Sequence, residues 1–121
     1  MRGFDFPGRV VKAYTEGDCG YLATAMHAVS GFPIVTASID VPGEWLHAGV
    51  LTPEGTVLDI EGTHSVEDWL DKWLGDEPGE EHFAHEWNAV EFLKSRNVVA
   101  AYYGGYEEWA PKVLAAYHQI V

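Results

Sequence analysis

The sequence predicts an α+β fold, a single domain over residues 1–121. Three observations carry that expectation. Leu22, Ala25, Met26 and Val29 repeat at the three-four spacing of one buried helix face. Ile34 to Val41 and Trp45 to Leu51 read as strands, and Pro53-Glu54-Gly55 turns the second back into Thr56 to Ile60. Helical patterns resume from Ser65. Helices mixed with a small antiparallel sheet define the class.

Taken in order, Arg9 to Tyr14 reads as a short strand and Thr15 to Asp18 as a turn. Asp18 suits the N-cap of a helix from Cys19 to about Ser30, with Gly31 as its stop and Pro33 beyond. Pro42-Gly43 is expected to break the first strand from the second. Gly55 suits the left-handed last position of a three-residue hairpin loop. Ser65 caps a helix to Leu74, ended by Gly75, with Trp69, Leu70 and Trp73 as its inner face. A helix over Glu81 to Lys94, a strand over Val98 to Tyr103 broken by Gly104-Gly105, and a last helix entering at Pro111 complete the expectation.

Composition narrows the function. Apolar residues are 47% of the chain, enough for a core and against disorder. With 19 acids against 7 bases the formal charge is -12, so direct nucleic-acid binding and an anionic membrane surface are disfavoured by repulsion. No apolar run approaches a membrane span, and MRGFDFPGRVVKAY lacks the apolar core of a signal peptide. The lone Cys19 excludes an internal disulfide and a multi-cysteine zinc site. A cytoplasmic protein, bacterial or from a phage or mobile element, is the expectation.

The chemistry concentrates at three residues. Gly17-Asp18-Cys19-Gly20 places the only thiol at a helix start, where the dipole and unpaired N–H groups favour a thiolate. Such a nucleophile needs a base, and the base an orienting group. His47 lies on the first strand of the hairpin and Asp59 on the second. If Thr52 faces Thr56, His47 faces Glu61 and Asp59 is its diagonal neighbour on the same face. An even-numbered loop would send Asp59 to the other face, so the turn decides, and Glu61 is the reserve orienter. The plain alternatives are a small buried thiol, a structural histidine and a turn carboxylate.

A cysteine opening the first long helix, then a histidine on a strand, then an aspartate on the next, resembles the papain-like clan. Within it, the pattern is similar to the compact transglutaminase-like proteins and cell-wall amidases. Gly17-Asp18-Cys19 with Leu22-Ala23 and His27, then Trp45 to Val50 and Leu58-Asp59, also resembles small bacterial and phage proteins that look like reduced members of that fold. The likeness covers about residues 10–64. It implies a helix carrying the cysteine packed on an antiparallel sheet. It also implies thiol chemistry on an amide, ester or thioester of a protein or peptide-like substrate. Cys19 would be nucleophile, His47 base and then acid, and Asp59 orienter. One departure is the missing glutamine ahead of the cysteine, since the only one is Gln119. Tyr14, Thr15 or backbone amides would have to serve the oxyanion.

Other signals are weighed against this. His27 reads as a packed or capping residue near its helix end. His82, His85 and Glu86 sit close together, with His64 elsewhere, at no recognised ligand spacing, and neither metal nor cofactor is assigned. Trp45 either walls the site or packs in the core. From Glu61 to Glu91 ten acids face one base, Lys72. That run is a solvated face or a surface for a basic protein partner. The rival reading is therefore a noncatalytic acidic inhibitor, anti-CRISPR-like, on a relic of the same fold.

Overall fold

The structure, a computed structural model, describes residues 2–96 and 109–120. Its strands are β1 (Arg2–Gly3), β2 (Ile34–Ile39), β3 (Val41–Leu51), β4 (Val57–Asp59), β5 (Gly62–His64) and β6 (His82–Trp87). Its helices are α1 (Gly8–Thr15), α2 (Cys19–Ser30), α3 (Val66–Leu74), α4 (Ala89–Arg96) and α5 (Trp109–Ile120). The strands form one sheet in the order β1-β5-β4-β3-β2-β6, antiparallel at every pairing. The α+β class is therefore as expected.

Alternation along the central strands splits the core into two layers. Ile34, Ala48, Val50 and Leu58 pack with residues of α1, α2, α4 and α5. Val35, Ala37 and Val57 pack with Trp69 and Leu74 of α3 on the opposite face. β2 is covered on both faces, so even Thr36 and Ser38 are fully buried. Their hydroxyls satisfy one another at 2.8 Å, and Trp87 Nε1 donates to Thr36 Oγ1 at 2.8 Å. α5 is tied to the hairpin loop where the Tyr117 hydroxyl donates to Glu54.

Three expected elements differ. Residues 9–14 are helical, inside α1, because Val10 and Tyr14 are buried one turn apart and Pro7 precedes the first turn, its carbonyl accepting from Val10 and Val11. Six residues were too few to separate a period of two from one of 3.6. The expected helix over 81–94 is instead β6 followed by α4. β6 pairs along its whole length with β2, and Asn88 Oδ1 then accepts from Val90 N–H at 2.9 Å to open α4. The break at Pro42-Gly43 is absent, since both lie within β3. The chain reverses at Asp40, whose φ of 62° is left-handed, and Asp40 Oδ1 accepts from Glu80 and Glu81 N–H at 2.8 Å each.

The remaining elements stand close to expectation. α2 ends at left-handed Gly31. Ser65 Oγ accepts from Asp68 N–H at 3.1 Å and α3 ends at Gly75. Pro111 lies in the first turn of α5. Asp18 precedes α2 but caps it through its carbonyl, which accepts from Tyr21 and Leu22, rather than through its side chain. The strand expected over Val98 to Tyr103 and its break at Gly104-Gly105 lie outside the described residues.

Candidate active site

The hairpin register settles the geometry that the sequence left conditional. Val50 pairs with Leu58 and Leu51 with Val57, so the loop is Pro53-Glu54-Gly55. Thr52 N–H donates to Thr56 O at 2.9 Å, and Gly55 is left-handed at φ 84°. That odd-numbered loop puts His47 and Asp59 on one face, as diagonal neighbours. His47 Nε2 lies 3.0 Å from Asp59 Oδ2, with neither side chain more than 2% exposed.

Cys19 completes the set. It opens α2 and is 6% exposed. Its thiol lies near enough to His47 to raise the proton affinity of the imidazole. The ring nitrogen left over for it is Nδ1, a buried atom with no formed hydrogen bond among the described residues. Burial by itself lowers the proton affinity of His47. The Asp59 hydrogen bond and the Cys19 contact outweigh it, and the imidazole is raised to about 9. For Asp59, burial pushes upward, but the hydrogen bonds from His47 and His64 win and hold the carboxyl well below the usual range.

Asp59 is more than an orienter of one ring. Its Oδ2 also accepts from Trp69 Nε1 at 3.1 Å. Its Oδ1 contacts His64 Nε2 at 3.0 Å and accepts from Glu61 N–H at 2.9 Å. A buried carboxylate is costly unless such donors meet its lone pairs. His64, Trp69 and Trp73 are the residues that sequence reasoning missed here. The signal for His64 was present: Asp59 pairs with Gly62 across a tight turn, which puts His64 opposite Val57 and on the face of Asp59. Trp69 and Trp73 lie on the expected inner face of α3, at the expected helix spacing, but both also reach polar members of the site. Trp73 stacks on the His47 ring, centroids 3.8 Å apart and planes at 17°.

Other candidates fall elsewhere. Glu61 binds Lys72 at 2.7 Å instead of serving His47. Trp45 packs against Phe92 and the α2-side core rather than over the imidazole. The Thr15 hydroxyl is spent on its own helix, donating to Val11 O at 2.9 Å. His27 contacts Phe32 O through Nδ1 at 2.8 Å, closing the α2 terminus. His82 and His85 lie on β6, not on a helix, so their side chains point to opposite faces. No cluster of metal-binding side chains occurs among the described residues. A surface groove of about 340 Å³, lined by Arg9, Lys12, Ala13, Glu16, Gly17 and Asp18, borders the lead into Cys19.

The chain matches no protein-family model, no curated protein and no solved structure. A thiol beside an imidazole can pass its proton to the ring, while a carboxylate behind the ring stays ionised, orients it and balances its charge. No described helix is long and apolar enough to cross a membrane.

Proposed function

We propose that the protein is a cysteine-dependent hydrolase or acyl-transferase of papain-like type, acting in the cytoplasm on an amide, ester or thioester of a protein or peptide-like substrate. The observation that supports it is the buried His47–Asp59 pair at 3.0 Å, with the Cys19 thiol at the start of α2 near enough to raise the proton affinity of the same imidazole. Proton transfer from the thiol to His47 gives a thiolate-imidazolium pair, with Asp59 balancing the imidazolium. The sulfur attacks the carbonyl carbon, and the leaving amine, alcohol or thiol takes the proton from His47. Water or an amine then attacks the acyl-thioester, gives its proton to His47, and releases the product as the proton returns to sulfur.

Burial favours a second reading. His47 is 0% exposed and Cys19 6%. Of the ten acids between 61 and 91, all but Glu61 are exposed. A noncatalytic acidic protein, such as a phage-encoded inhibitor that covers a basic protein surface, accommodates both facts. The test is the pH dependence of iodoacetamide alkylation. The hydrolase reading expects Cys19 to react well below the ordinary thiol range of about 8.5, with His47→Gln abolishing the low-pH reaction. It also expects p-nitrophenyl acetate to leave an acetyl group on Cys19. An inert thiol, together with salt-weakened capture of a basic protein that Cys19→Ala leaves intact, establishes the inhibitor reading instead.

A further inference from the structure

We propose that Trp73 is a positioning residue for His47: its indole face, stacked on the imidazole, fixes the ring for Cys19 and favours the protonated form. The inference rests on the hydrolase reading and concerns how that site is tuned. Two observations carry it. The rings are nearly parallel at 3.8 Å, well inside the distance at which a cation over an indole face is stabilised. And Trp73 Nε1 is buried with no hydrogen-bond partner among the described residues. A buried indole N–H normally finds an acceptor, and leaving it without one is costly. Trp69, one turn earlier on α3, does find one, in Asp59 Oδ2. Trp73 therefore takes its orientation from its face and not from its N–H.

Among the described residues, the titratable groups around the imidazole come from four elements. Asp59 approaches from β4, with His64 of β5 on its other oxygen. Cys19 approaches from α2. From α3, Lys72 lies 5.7 Å from the Trp73 ring and pairs with Glu61, and β2 offers only Ala37 opposite. Only Trp73 stacks face-on against His47 in this set. Trp69 is tilted at 52° with centroids 5.8 Å away.

The experiment is an NMR titration of His47 in the full chain, with the pH profile of Cys19 alkylation beside it. Trp73→Leu keeps an apolar cover but removes the aromatic face, and the His47 midpoint is expected to fall by about one pH unit. Trp73→Phe keeps a weaker face and should fall by less. The upper inflection of the alkylation profile should move with it. A folded Trp73→Leu or Trp73→Phe with an unmoved midpoint overturns the proposal. So does a rise, which would make Trp73 a mere shield from water. The titration does not depend on thiol reactivity, so an inert wild-type Cys19 would sink the hydrolase reading while His47 still reported on Trp73.

Discussion

Asp59 Oδ2 lies 3.0 Å from His47 Nε2, and both residues sit inside the protein with no more than 1% exposure. The contact joins the two strands of one hairpin just past the end of their ladder. Removing the carboxylate strands four donors at once: His47, His64, Trp69 and the backbone N–H of Glu61. Asp59→Ala should therefore lose about 3–5 kcal/mol, the cost of breaking a buried ion pair from one side. Asp59→Asn should lose less, since the amide oxygen still accepts. Urea denaturation distinguishes them, and a loss under 1 kcal/mol for the alanine variant would contradict the assigned network.

Stability should depend on pH at both ends. His47 is raised from 6.5 to about 9, so its contribution is full below 6.5 and fades as pH rises towards 9. Asp59 is lowered from 3.8, so its contribution is present above 3.8 and is lost as pH falls below it. Urea midpoints should therefore be highest between these two reference values. Asp59→Asn should flatten both limbs. A wild-type maximum above pH 9 would be incompatible with a protonated His47.

Gly49 lies between the site and the ladder. A Cβ there would sit 2.7 Å from Leu58 O, a backbone atom with no freedom to yield, and 3.0 Å from Val57 Cγ1. Gly49→Ala should part β3 from β4 and cost about 1–3 kcal/mol. Because His47 and Asp59 ride on those strands, the His47 midpoint should fall together with stability. An unchanged midpoint in a destabilised protein would separate the hairpin from the site.

The cap of α3 offers a milder change. Ser65→Ala removes the acceptor for Asp68 N–H and should cost about 1 kcal/mol, read by thermal or urea unfolding. α3 carries both site tryptophans, so indole fluorescence should report its loosening before global unfolding. Simultaneous loss by every probe would mean that the helix has no local freedom.

The candidate triad was legible in the sequence because each member sat on a locally decided element. Cys19 followed a helix-start pattern, and His47 and Asp59 flanked a loop in which Gly55 suits a three-residue turn, the register itself being left to the structure. What was not legible came from short or two-way patterns. Arg9 to Tyr14 fits a strand by alternation, yet Val10 and Tyr14 are buried together as a helix turn. His82 to Trp87 offered histidines three apart, and only pairing with β2 made that segment a strand.

The sequence by itself determined the α+β class, the caps of α3, the left-handed stop of α2 and the candidate residues of the thiol-imidazole-carboxylate series. These follow from backbone preferences and periodicity, which act over a few neighbouring residues. Tertiary structure decided that Asp59 serves two imidazoles and an indole, that Trp73 rather than Trp45 covers His47, and that the whole set is buried. Those outcomes depend on how helices dock on a sheet. A side chain's partners across that interface are chosen by packing and desolvation among residues far apart in the chain, and no local pattern records them.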